Sequence, residues 1–263
     1  MKRKKRIGTA AKAVGCAVLL MVSLFPIYWL LAMAIRPTDE MRGHIALIPQ
    51  SLTGMHFAQL FSSENFGQAI LNSLQTTFGS LIISLLAGIC AAYVIARRRF
   101  RFGLKKPMTY WVLLVRVLPP VAFTIPLYIM FNRLGILNTK LPVMLACVLI
   151  NVPLIIWFLI SFFQDLPEEI EESAKVDGAT EWQLFRKIVL PLVAPGIAAV
   201  SMLSFMYAWN EYTYTVIFTR LPANNTVPLA LALLNTEDNL TNFGLVAAGG
   251  VISVIPITLF VIF

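Results

Sequence analysis

Charge is scarce in this 263-residue chain: 13% of its residues are Asp, Glu, Lys or Arg, against 58% hydrophobic. Soluble globular domains carry about 25% charged residues, so the composition excludes that class and points to a membrane protein. The mean hydropathy of +0.78 agrees. Histidine is nearly missing. His44 and His56 fall in one polar stretch, and a solvated pair there is the plain reading. Three cysteines, Cys16, Cys90 and Cys147, stand singly in apolar runs. Their spacing suits no metal, one must stay unpaired, and they read as small buried hydrophobes. No Gly-x-x-x-x-Gly-Lys-Ser/Thr phosphate loop and no Ser/His/Asp or metal-ligand constellation occurs. The chain is therefore expected to bind no ATP, metal or cofactor itself, and not to be an enzyme.

What fills the sequence instead is apolar length. Six runs, Ala13–Ile35, Ile70–Ala96, Met108–Phe131, Leu141–Phe163, Pro195–Phe218 and Phe243–Phe263, are each near the ~20 residues that cross a bilayer. The first follows a basic segment, Met1–Lys12. It outruns the ~7–15 residues of a signal-peptide core and no small-residue cleavage site closes it, so it is read as a span. The expected fold class is an all-α polytopic membrane protein with six transmembrane helices. Residues 1–66 form a basic tail, the first span and a polar loop. Residues 67–263 form the core.

Placing the N-terminus inside the cell puts fifteen Lys/Arg on the inner side and five on the outer, with Arg116 left within the third span. That asymmetry sets the orientation. The positive charge lines an inner membrane surface, and no nucleic-acid partner is needed to explain it.

The long polar interruption of the second half is 165–191. Asp165-Leu-Pro-Glu168 has the layout of a capped helix start, and Glu171 with Lys175 makes an i,i+4 pair. Gly178 suits a left-handed stop. Thr180 with Gln183 is a second capping box, Trp182, Phe185 and Ile188 or Val189 share a face, and Pro191 ends the second helix. The expected unit is a hairpin of two short amphipathic helices. Its carboxylates and small residues invite a docking protein.

This hairpin resembles the EAA loop of bacterial ABC-importer permeases. Their pattern runs Glu-Ala-Ala, three residues, Gly, nine residues, Ile, one residue, Leu-Pro. Here it stands as Glu172-Ser173-Ala174, Gly178, Ile188 and Leu190-Pro191, with Ser173 for Ala the one departure. Asp177-Gly178-Ala179 is similar to the carbohydrate-uptake, maltose-permease-like branch. The resemblance covers the chain after the first span and is strongest at 168–195. It implies the type I ABC importer permease fold, with the hairpin as a cytoplasmic coupling helix. Glu171, Glu172, Ser173, Ala174, Asp177, Gly178 and Ala179 are the expected ATPase-docking residues. It also implies a second homologous permease chain, two ABC ATPase subunits holding ATP and Mg, an extracytoplasmic solute-binding protein, and the bacterial inner membrane. Family members normally add a short cytoplasmic tail after the sixth span, whereas this sequence stops at Phe263.

Polar groups inside spans are costly in lipid and mark an interior path. Arg116 with Pro119 and Pro120, Asn151, and Trp209-Asn210-Glu211-Tyr212 are the candidates. The resembled branch often carries Arg-x-x-Pro-Pro and a Trp-Asn-Asp/Glu element, and rings beside hydrogen-bonding groups suit a sugar. An aromatic belt around Trp209 and Tyr212, with Asn210 as helix glue, is the equal alternative. At 1.5 Å per residue, Arg116 and Glu211 lie roughly 12 Å apart in depth, too far to pair in straight helices. In the outer loop, Asn224, Asn225 and Thr226 are candidates for contact with the binding protein.

The expected function is a permease subunit importing a sugar or sugar derivative by ATP-driven alternating access. One alternative is the same fold with another small solute: a polyol, a sugar phosphate or sulfonate, or a polyamine. The other is an ion-coupled secondary transporter. Against the latter, Glu211 is the one carboxylate within the spans and no inverted repeat is visible.

Overall fold

Lipid offers a backbone no partners, so a spanning chain closes its hydrogen bonds within helices. Every regular element among the described residues is helical. The computed structural model describes residues 2–41, 45–62, 64–97, 105–234 and 243–262, with the side chains of 2–11, 105, 106, 113 and 116 outside that description. The helices are α1 (Lys2–Ala34), α2 (Met55–Ser62), α3 (Phe66–Arg97), α4 (Lys105–Val117), α5 (Thr124–Arg133) and α6 (Leu141–Gln164). After them come α7 (Glu168–Val176), α8 (Glu181–Leu184), α9 (Leu190–Trp209), α10 (Thr213–Phe218), α11 (Val227–Leu233) and α12 (Phe243–Ile262).

Five stretches among the described residues are long and apolar enough to cross a membrane: Lys12–Ala34, Phe66–Arg97, Leu141–Gln164, Glu181–Trp209 and Phe243–Ile262. The predicted third span is not one helix. It is divided into α4 and α5, because Pro119 and Pro120 bring no N–H and the chain at Pro119 is extended (φ −60°, ψ 137°). A 3-10 turn over Pro120–Phe123 then leads into α5. The predicted fifth span also needs correction: its helix begins well before Pro195 and stops at Trp209.

The chain forms two compact units, one of residues 1–67 with 230–258, the other of 68–229 with 259–263. In the first, Arg36 is buried and donates to the Ala46 carbonyl at 2.6 Å, its guanidinium 5.8 Å from the Trp29 ring centre. His56 is buried too, with Nε2 donating to the Arg36 carbonyl at 2.9 Å. The expectation of a solvated histidine fails at His56 because Gly244 packs directly on its ring. His44 lies outside the described residues.

In the second unit α6 is the central helix, packed by α4 and α9. Its buried face joins Leu154, Ile155, Leu159 and Phe163 to Ala92, Ile95 and Ala96 of α3 and to Val193 and Val200 of α9. Cys147 is buried in this unit, whereas Cys16 and Cys90 are exposed on helix faces, so only Cys147 is the buried hydrophobe expected of all three.

Candidate functional site

The hairpin is built by local chemistry. Helix α6 ends at Asp165, whose N–H still bonds to the Ser161 carbonyl at 3.0 Å. That keeps Asp165 in the helical turn, so the expected capping box with Glu168 does not form; Pro167 precedes α7 with no side-chain cap. Three glutamates in the first turn and Lys175 in the last complement the helix dipole.

The end of α7 is a full Schellman motif. Gly178 takes φ +80°, its N–H bonds to the Lys175 carbonyl (3.1 Å), and the Ala179 N–H reaches back to Ala174 (3.0 Å). The second capping box is present as expected, with the Thr180 N–H on Gln183 Oε1 (3.0 Å) and the Gln183 N–H on Thr180 Oγ1 (3.3 Å).

Pro191 does not end the second helix. Phe185–Val189 forms a π turn in which the Leu190 N–H bonds to the Phe185 carbonyl, five residues back. The wider turn makes room for the proline ring, and α9 runs on.

The expected docking residues divide in two. Glu172, Ser173, Asp177 and Gly178 are exposed. Ala174 is buried in the chain's own core beside Leu184 and Val189, with Ala179 packed against the same cluster. Glu171 pairs with Arg97 at 2.9 Å rather than with Lys175, which instead meets Glu181 at 3.1 Å. The outward face carries two residues that the expected docking set omits, Glu169 and Val176. Val176 is 87% exposed and, with Glu169, Glu172, Ser173 and Asp177, borders a surface depression of about 420 Å³.

A second locus gathers around two helix breaks. Helix α9 stops at Trp209, where Asn210 Nδ2 bonds back to the Met206 carbonyl (2.8 Å). Glu211, largely buried, then caps α10: one carboxylate oxygen accepts the Tyr214 N–H (2.6 Å), the other the Thr215 N–H and hydroxyl (both 3.1 Å). The Tyr214 hydroxyl donates to the Pro120 carbonyl at 3.0 Å, tying this break to the proline break. A cavity of about 430 Å³ results, lined by Pro120, Tyr207, Asn210, Glu211, Tyr212 and Thr213 among others.

Of the sequence-predicted path residues, the cavity thus brings together Pro120, Asn210, Glu211 and Tyr212. Trp209 is turned into the core and stacked on Phe205 with ring centres 5.9 Å apart. Asn151 is buried and donates to the Ser204 carbonyl (3.3 Å), joining α6 to α9. Pro119 is exposed outside the lining. Arg116 lies on α4 with its side chain outside the description. Tyr207 and Tyr214 were missed, though their spacing from the Asn-Glu pair placed them one turn away.

The third set is fastened internally. Asn224 Nδ2 donates to the Asn138 carbonyl. Asn72 Nδ2 holds the carbonyls of Ala223 (2.8 Å) and Asn225 (2.9 Å). Thr226 is buried with its hydroxyl 3.2 Å from that of Thr215, and Ser73 Oγ accepts the Val227 N–H at 2.8 Å. The loop expected over Thr219–Asn242 also contains α11.

Residues 84–263 match the family model described as "Binding-protein-dependent transport system inner membrane component". The trehalose transport system permease protein SugB of Mycobacterium tuberculosis is 31% identical over 241 residues, covering 91% of this chain and 87% of that protein. The diacetylchitobiose uptake system permease protein DasC of Streptomyces coelicolor is 31% identical over 249 residues (94% and 89%). The arabinooligosaccharides transport system permease protein AraQ of Halalkalibacterium halodurans is 30% identical over 273 residues (100% and 94%). Among solved structures, a chain of a bacterial ABC transporter involved in import of the acidic polysaccharide alginate superposes with a TM-score of 0.80 at 20% identity, covering 98% of this chain and 95% of that one.

Proposed function

This chain belongs to the family of binding-protein-dependent transport system inner membrane components, and on that premise we propose that it is one permease chain of an ATP-driven importer for a sugar or sugar derivative. The observation that carries the reading is the hairpin. Its exposed acidic face and sharp Gly178 turn end in a helix that continues without interruption from Glu181 into the span ending at Trp209.

The N-terminus and the hairpin face the cytoplasm, in keeping with the Lys/Arg asymmetry. Two ATPase subunits, holding ATP and Mg, dock on the exposed residues Glu172, Ser173, Val176, Asp177 and Gly178. A second homologous permease chain completes the path. The cavity at Asn210, Glu211 and Tyr212 supplies what a sugar needs, rings for its CH faces and amide, carboxylate and hydroxyl groups for its hydroxyls. Relatives named for trehalose, diacetylchitobiose and arabinooligosaccharide transport support that cargo class. An extracytoplasmic binding protein delivers it.

The test is purification of the detergent-solubilised complex with wild type and Gly178→Asp, then ATP hydrolysis with binding protein and a panel of sugars. An ATPase subunit is expected to co-purify with wild type, and one loaded binding protein is expected to stimulate it. Transport that instead follows a proton or sodium gradient, with no ATPase captured, overturns the reading.

A further inference from the structure

Helices α6 and α9 are joined to the hairpin by the chain itself; α3 is not. On the coupling role proposed above, any movement that α3 shares with the hairpin must pass through side chains. Arg97, the last residue of α3, supplies the contact. Its Nε stands 2.9 Å from Glu171 Oε1 on α7, and its Nη2 donates to the Leu166 carbonyl at 2.7 Å, in the turn that enters α7. One side chain thus grips the hairpin at two points.

The pair is shielded from water. Its side chains are 8% and 15% exposed, against 50% and 63% for Lys175 and Glu181. Solvent and salt screen the second pair and leave the first strong. One helical turn before Arg97, the Tyr93 ring lies 5.5 Å from that of Phe163 at the end of α6 and 4.8 Å from Phe185 in the π turn. Tyr93 and Arg97 therefore make one edge of α3 that touches both arms of the hairpin.

We propose that Arg97 is a positioning residue that binds α3 to the hairpin through Glu171 and Leu166, so that the second span moves with the coupling element. Glu171 is then an internal strut, and of the expected docking carboxylates Glu172 and Asp177 are the two left exposed for the ATPase. A lysine is a compact charge on a flexible stem, without the broad planar guanidinium that faces the Glu171 carboxylate and the Leu166 carbonyl together.

The test uses the full complex in proteoliposomes, with the binding protein and sugar that stimulate wild type, and reads cargo moved per ATP hydrolysed. Arg97→Gln is expected to co-purify with its ATPase subunits and keep basal hydrolysis, while cargo per ATP falls about tenfold, within the usual range of coupling between sites. Arg97→Lys should fall between. The exchange Arg97→Glu with Glu171→Arg should recover part of the loss, because the ion pair returns while the bond to the Leu166 carbonyl does not; a general packing defect would permit no recovery. If Arg97→Gln does not assemble, Arg97→Lys decides, and wild-type coupling there overturns the proposal. A wild-type complex that couples normally while Arg97→Gln moves as much cargo per ATP overturns this proposal alone. A wild-type chain that captures no ATPase overturns the importer reading as well.

Discussion

Gly88 of α3 lies so close to Ile155 of α6 that a Cβ at position 88 would stand 2.6 Å from the isoleucine Cγ2 and 2.9 Å from its Cβ. Ile155 is β-branched, stiff and fully buried, so it has no room to swing aside. Close backbone approach through small residues is how helices associate in lipid. Gly88→Ala should therefore cost about 1–3 kcal/mol of overpacking, visible as a lower melting temperature in detergent. Ile155→Ala in the same background should return part of it. A Gly88→Ala protein that melts with wild type would show that the two helices separate freely.

Gly178 poses the opposite case, since nothing lies within 4 Å of where its Cβ would be and only its φ of +80° restricts it. A left-handed residue other than glycine costs roughly 1–2 kcal/mol, less for asparagine. Sugar-stimulated hydrolysis should accordingly rank Gly178, then Gly178→Asn, then Gly178→Val. Equal rates for the asparagine and valine variants would exclude a backbone origin.

Glu40 clasps the loop that follows α1. The Ser51 hydroxyl and the Gln50 N–H, with the Ser51 N–H and nearby Arg36, hold its carboxyl below the usual carboxylate range. A depressed acid stabilises the fold above its unfolded value, about 4.3, and that contribution disappears as the pH falls through the lower folded value. Hydrogen-exchange protection of residues 50 and 51 should be unchanged from pH 7 to pH 5 and lost in stronger acid. Glu40→Gln should show the same loss at pH 7.

Asn72 and Asn225 separate backbone from side chain. Asn72 is buried and donates to two carbonyls, at Ala223 and Asn225. Asn72→Leu strips both of their donor, and since Ala223 is exposed and Asn225 half-buried, water replaces part of what is lost, at about 0.5–1.5 kcal/mol for each hydrogen bond. Asn225→Ala keeps its carbonyl, and so its melting temperature should match wild type. A loss of binding-protein stimulation in Asn225→Ala without a loss of stability would place that side chain at the partner surface.

The hairpin was the most legible part of the chain, because a left-handed glycine and a Thr–Gln capping box act over four or five residues. What escaped was set at a distance. Glu171 has Lys175 one turn away, yet a guanidinium from α3 reaches it first and is better shielded. Ala174 belongs to the hairpin by motif but faces the chain's own core. The stop at Trp209 carries no Gly or Pro to announce it; the side chains of Asn210 and Glu211 take over backbone hydrogen bonds there. Asn224, Asn225 and Thr226 look free in sequence because Asn72 and Ser73, which hold that loop, lie far earlier in the chain.

The π turn at Phe185–Val189 makes the spacing of this region a matter of counting. Each residue advances a helix by about 100°, so one residue more or less in those five would turn the whole length from Leu190 to Trp209 against the hairpin by that angle. Val193 and Val200, now on the α6 side, would swing toward lipid, and the break that shapes the cavity would turn with them. A substitution within the turn alters one contact. A deletion redirects the span, which makes the stretch strict in length before it is strict in composition.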